Sequence, residues 1–121
     1  MPKVLFVDDM EERWRSLIFR IPEPLRTEFR WAQSATAAKV RLRAQHFQVV
    51  CLDHDLAEAN YSQACEKGSG CGCDIVEYLS ARPWLYAATQ FIIHSWNPEA
   101  AEKMYIKLCD LGLKAKVRAF S

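Results

Sequence analysis

Val49-Val50-Cys51-Leu52-Asp53-His54-Asp55-Leu56 is the stretch on which the reading of the chain turns. Its apolar run, with no polar alternation, predicts a short strand covered on both faces of a sheet. The run stops at three side chains that hold or move charge. In an open parallel sheet, ligands bind just beyond the carboxyl ends of the strands. Asp53, His54 and Asp55 fall at that position. A strand-end turn also favours Asp, but Asp-His-Asp behind a buried strand is more than a turn requires.

The same pattern recurs on either side. Val4-Leu5-Phe6-Val7 reads as a buried strand closed by Asp8-Asp9, and Phe91-Ile92-Ile93 as another closed by His94-Ser95. Thr27 to Ala32 alternates weakly, as an edge strand does, and Ala115 to Val117 is a short last strand. Helical patterns lie between. Glu11 to Phe19 carries Trp14, Leu17 and Ile18 on one stripe, with Asp9 as a candidate N-cap and Pro22 and Pro24 behind it. Ser34 is placed to cap a helix running to about Ala44, with Ala37, Val40, Leu42 and Ala44 as its apolar positions. Residues 57–72 show no periodicity and contain Gly68, Gly70 and Gly72, which predicts a long loop. Asp74 to Ala81 is helical, with Ile75, Val76, Tyr78 and Leu79 apolar and Pro83 as its stop. Asn97-Pro98 supplies a cap and a first-turn proline for a helix over Glu99 to Leu111. Ala101, Met104, Leu108 and Leu111 share one face of it, and Gly112 ends it.

Five strands alternating with four helices imply one α/β domain over residues 1–121, with a parallel sheet and right-handed crossovers. The flavodoxin-like order 2-1-3-4-5 makes strands one, three and four neighbours. Asp8 and Asp9, then Asp53, His54 and Asp55, then His94, Ser95 and Asn97 would share one crevice.

Composition sets outer bounds. The chain has 121 residues, half of them hydrophobic, and a formal net charge of +1. That balance supports a real core and argues against broad electrostatic capture of duplex DNA. The start of the chain shows no signal-peptide pattern and no apolar run is long enough to span a membrane, so a cytoplasmic protein is expected. Five cysteines, an odd number with Cys51 in a core strand, read as reduced thiols. Cys65, Cys71 and Cys73 fit no standard zinc spacing. Trp14, Trp31 and Trp84 read as packing residues, while Trp96 stands beside the expected crevice and is a candidate for stacking on a base.

At these residues the chain resembles the receiver domain of response regulators. The acidic pair Asp8-Asp9, Asp53 at the end of strand three, Ser95 after strand four, and Arg118-Ala119-Phe120 after strand five match its pattern, with Arg118 in place of the usual Lys. His54 and His94, the long loop after Asp53, and the absence of a fifth helix pattern after Phe120 depart from it. Together, Val7-Asp8-Asp9, Leu52-Asp53-His54-Asp55-Leu56, Gly70-Cys71-Gly72-Cys73-Asp74 and Ile93-His94-Ser95-Trp96-Asn97 resemble the cyclic-phosphate processing receiver domains. The resemblance implies a receiver-like three-layer fold. It also implies action on cyclic phosphates, either cyclic nucleotides or the 2′,3′-cyclic ends of cleaved RNA, an activity that fits RNA repair.

The residues make that chemistry coherent. Clustered carboxylates repel unless a cation sits among them, and oxygen ligands suit Mg²⁺ or Mn²⁺. Asp8, Asp9 and Asp53 are the expected metal ligands. Opening a cyclic phosphodiester needs one group to take a proton and one to give it. His54 and His94 suit those roles. Asp53 and Arg118 complete the catalytic set, and Asp55, Ser95, Asn97, Gly70 and Gly72 are candidates for holding substrate or phosphate. Asn97 reads more readily as a helix cap than as a ligand. In a strictly extended strand, however, Asp53 and Asp55 point one way and His54 the other, so strand three must end near Asp53.

Two other functions fit the same residues: a signalling receiver phosphorylated on Asp53, and an inactive receiver-like binding module. Without a fifth helix, an apolar patch is expected beside strands one and five, covered by a second copy or a partner protein.

Overall fold

The computed structural model describes residues 3–53, 71–94 and 98–118. Strands β1 (Val4–Val7), β2 (Phe29–Ala32), β3 (Val49–Leu52), β4 (Gln90–Ile93) and β5 (Lys114–Val117) alternate with helices α1 (Glu11–Arg20), α2 (Ala35–Ala44), α3 (Gly72–Ser80) and α4 (Pro98–Asp110). All strand pairs are parallel and the order is β2-β1-β3-β4-β5. The flavodoxin-like topology expected from the alternation is therefore present, with its reversal of winding between β1 and β3.

Side-chain alternation divides the sheet into two faces. Leu5, Val7, Val50, Leu52, Phe91 and Ile93 form one face, which packs on Ala35, Ala38 and Leu42 of α2, Ile75, Val76 and Leu79 of α3, and Ala101, Met104 and Leu108 of α4 in a single core. The other face carries Val4 and Phe6, and Phe6 meets Trp14 of α1 with ring centroids 6.2 Å apart.

Several elements differ from the sequence expectation. Strand β3 is buried through Val50 and Leu52, but Val49 and Cys51 are only half-buried, so it is not equally covered on both faces. Three described helices pack on one side and α1 alone on the other. In α2 the buried residues are Ala35, Ala38 and Leu42. Val40 and Ala44 are exposed, because the i, i+3, i+7 stripe, rather than every apolar residue, meets the sheet. Met10, not Asp9, occupies the N-cap of α1 and makes no side-chain cap bond. The neighbouring Asp8 instead takes the Met10 N–H on Oδ1 at 2.8 Å. Ser34 caps α2 as expected, its Oγ accepting the Ala37 N–H at 3.1 Å. Residues Glu23–Glu28 and Pro83–Tyr86 form 3-10 turns, and Trp84 in the second is exposed rather than packed. Cys73 is disulfide-bonded, so among the described residues reduced thiols describe Cys51, Cys71 and Cys109.

On the face shared with α1, the described residues of strands one and five do not expose the expected apolar patch, although Val117 of β5 is exposed on the opposite face. Val4 and Phe6 are buried, and β5 sends Lys114 and Lys116, both exposed, to the same face as Val49, Cys51 and Ile92. No described helix is long and apolar enough to cross a membrane.

Candidate active site

The site grows from one row of the sheet. Parallel pairing aligns Val7 with Leu52 and Leu52 with Ile93. One residue further on, Asp8, Asp53 and His94 stand side by side. Backbone bonds extend the ladder to this row: Asp53 N–H donates to Val7 O at 3.0 Å, and His94 N–H to Leu52 O at 2.8 Å. Alternation turns all three side chains to the face that carries Phe6 and α1. The apolar strands bury the row almost completely, leaving Asp8 0%, Asp53 2% and His94 4% exposed.

Three donors meet Asp8. Oδ2 lies 3.1 Å from His94 Nε2 and accepts from Arg13 Nη1, also at 3.1 Å, while Oδ1 accepts from Met10 N–H. Burial by itself would raise the Asp8 pKa. The hydrogen bonds from His94, Met10 and Arg13, together with the Arg13 charge, outweigh it and hold the carboxyl below its ordinary value. Arg13 Nη1 also lies 3.3 Å from Asp53 Oδ2, so one guanidinium nitrogen bridges both buried carboxylates.

Asp8, Asp9 and Asp53 each offer an oxygen, and these lie within 4.8 Å of one another. Oδ1 of Asp53 is buried and takes no hydrogen bond from any described residue. Three hard oxygen donors at this spacing fit a divalent cation such as Mg²⁺ or Mn²⁺.

A chain of aromatic rings supports the row. Trp31 stacks on Trp14 at 5.8 Å, Trp14 meets Phe6 at 6.2 Å, and Phe6 stacks on His94 at 4.8 Å with only 6° between the planes. Trp31 then closes the circuit by donating its indole N–H to the Asp8 carbonyl oxygen at 2.8 Å. Trp14 and Trp31 are packing residues, as expected, and what they pack is the wall of the site.

Asp8, Asp9, Asp53 and His94 are thus brought together. Arg118 is exposed at the end of β5 and donates its backbone N–H to Ile93 O at 2.8 Å. Gly72 is buried at the start of α3. Among the described residues, no hydrogen bond or ion pair joins either to the carboxylates. His54, Asp55, Gly70, Ser95, Trp96 and Asn97 lie outside the described residues. Arg13 is the site residue that sequence reasoning passed over. Its one signal in the sequence is its place beside the Trp14–Leu17 stripe, one helical turn past the acidic pair.

A parallel 2-1-3-4-5 sheet with carboxylates at the ends of its first and third strands defines the receiver class of α/β domain. Within that class, the chain belongs to the cyclic-phosphate processing receiver domain family, whose pattern it matches over residues 3–110. Its structure is similar to the non-phosphorylated HemR receiver domain from Leptospira biflexa (TM-score 0.66, 22% identity, 100% of this chain and 85% of that one covered). It is similar also to the signal receiver domain of an HD domain-containing protein from Pseudomonas fluorescens Pf-5 (TM-score 0.65, 19% identity, 97% and 82% covered). A third likeness is to a Burkholderia pseudomallei response regulator that carries a phosphorylated aspartic acid, a calcium ion and citrate (TM-score 0.60, 15% identity, 97% and 59% covered). At these identities the likeness concerns the fold. No curated protein matches the chain.

Proposed function

We propose that the domain is a metal-dependent phosphoesterase that opens cyclic phosphates, either cyclic nucleotides or the 2′,3′-cyclic ends of RNA. The observation that carries this reading is a buried histidine built into the carboxylate cluster: His94 Nε2 stands 3.1 Å from Asp8 Oδ2. A cluster serving only as a phosphate acceptor needs no imidazole there. The family description supports the substrate class.

In the reaction, water adds to phosphorus and the bond from phosphorus to one of the two ester oxygens of the cyclic phosphate breaks. A proton leaves the water and a proton reaches the departing oxygen. With Asp8 ionised, His94 carries its proton on Nε2 and is oriented by that carboxylate, as an acid–base imidazole must be. His54 is proposed as its counterpart. Asp8, Asp9 and Asp53 would hold Mg²⁺ or Mn²⁺, which when bound offsets the charge on the phosphoryl oxygens.

A second reading, a receiver phosphorylated on Asp53, is supported by the phosphorylated aspartic acid in the Burkholderia pseudomallei relative. One experiment separates the two. Wild type, H54A and H94A are assayed on 2′,3′- and 3′,5′-cyclic nucleotides and cyclic-ended RNA, with Mg²⁺, Mn²⁺ or chelator. Metal-dependent turnover that both variants lose is the expected result. A folded protein with no turnover, but with Asp53 phosphorylated by acetyl phosphate, would overturn the phosphoesterase reading in favour of the receiver.

A further inference from the structure

Arg13 occupies an unusual position for a basic residue on a surface helix. Its side chain is only 14% exposed, and a single nitrogen, Nη1, reaches Oδ2 of both Asp8 and Asp53. Those are two of the three carboxylates that lie close enough together to share a cation. Two buried carboxylates this close repel strongly unless a positive charge stands between them, and in this structure the guanidinium supplies it. A divalent cation on the same carboxylates would meet the Arg13 charge at short range. The two cations therefore exclude one another from the shared oxygens.

We propose that Arg13 is an exchangeable counter-cation: it neutralises Asp8 and Asp53 in the metal-free protein, is displaced by the divalent ion, and then binds the phosphoryl oxygens of the substrate. The second half rests on the phosphoesterase reading; the first does not. The side chain suits both tasks. Arg13 lies in the first turn of α1, and its long stem lets the head turn while the helix stays in place. A guanidinium presents a planar fork of donors that matches carboxylate and phosphate alike. The exchange leaves the metal-loaded site with a positive arm beside it, anchored on the helix and free to turn at its head.

The test uses binding alone, so it stands apart from any failure of turnover. Mn²⁺ affinity is measured by calorimetry for wild type, R13M and R13K, and inorganic phosphate affinity is measured on the Mn²⁺-loaded proteins. R13M keeps the stem and loses the charge. It is expected to bind Mn²⁺ at least tenfold more tightly than wild type and phosphate at least tenfold more weakly, with R13K nearer to wild type in both. Should R13M not fold, the wild-type protein labelled with ¹⁵N-arginine is titrated with Mg²⁺, and the Arg13 side-chain resonance is expected to shift in step with saturation. Mn²⁺ affinity unchanged or weakened in R13M, or an Arg13 resonance unmoved by saturating Mg²⁺, would overturn the exchange. Tighter Mn²⁺ binding with unchanged phosphate binding would overturn the phosphate-binding half.

Discussion

The imidazole of His94 lies flat on the ring of Phe6, 4.8 Å away and within 6° of parallel. Its plane is set by that stack and its rotation within the plane by the Asp8 carboxylate. Two restraints of different kind, one apolar and one polar, therefore fix one ring. Phe6 is itself held against Trp14, Trp14 against Trp31, and Trp31 bonds the Asp8 backbone. The site's histidine and carboxylate thus belong to one closed circuit of contacts.

Phe6→Leu tests the apolar restraint. Leucine keeps most of the buried volume and loses the flat surface. A stability loss of about 1–2 kcal/mol is expected from imperfect repacking and the lost ring contacts. Initial rates on the cyclic substrate should fall at least tenfold, while Mn²⁺ affinity stays within about twofold because no carboxylate has moved. Urea denaturation, initial rates and a Mn²⁺ titration check the three parts. A wild-type rate in F6L would show that the stack does not position His94.

Gly112 ends α4 with φ +79°, and a Cβ there would meet nothing within 4 Å. Any cost of Gly112→Ala is then backbone strain alone, expected at about 1 kcal/mol. Ser34→Ala should cost a similar amount by removing the α2 cap. The two sites end different helices and are far apart in sequence, so the double variant should lose the sum. Denaturant midpoints on the four proteins measure this. A neutral G112A would mean that the helix end relaxes out of the left-handed conformation.

The sequence carried most of this architecture because strand and helix patterns alternate without exception and each strand ends in polar residues. The row Asp8–Asp53–His94 followed from the strand order plus a count of residues past each apolar run. What the pattern could not carry was the content of the other sheet face. Arg13 looked like one more charge on an amphipathic helix, since periodicity does not say which sheet residues lie beneath a given turn. Asp9 looked like the helix cap because cap preference is local, whereas Asp8 reached the Met10 N–H through its place at the strand end. Val40 and Ala44 are apolar positions that stay exposed, because hydropathy alone does not identify which apolar residues on a helix lack a neighbour.

Cys51 offers a chemical probe of that second face. Burial pushes its thiol up to about 12, and the thiolate is the reactive form. At pH 8 about one molecule in 10⁴ would carry the thiolate. Cys109, by contrast, is exposed. Iodoacetamide at pH 8, read by peptide mass spectrometry, should modify Cys109 at least a hundredfold faster than Cys51, and urea should remove the difference. Equal native rates would show that Cys51 is open to solvent and that its pKa is not raised.

The Asp8 carboxyl makes the fold sensitive to acid in a calculable direction. Burial opposes its charge, but His94, Met10 N–H and Arg13 favour it more, so the folded pKa lies below the unfolded one. A carboxyl of this kind stabilises the fold fully above its unfolded value, about pH 4, and the contribution disappears as the pH falls through the folded value. Metal-free wild type should therefore lose stability below about pH 4 more steeply than Asp8→Asn, which has no proton to take up at this position. At pH 7, where that contribution is complete, D8N should be less stable by about 1.5–3 kcal/mol, the range for hydrogen bonds to a charged group. Thermal or urea unfolding of both proteins from pH 7 to pH 2.5 in chelator tests this. Parallel pH profiles would show that Asp8 has the same pKa folded and unfolded, and that the hydrogen bonds to it do not outweigh its burial.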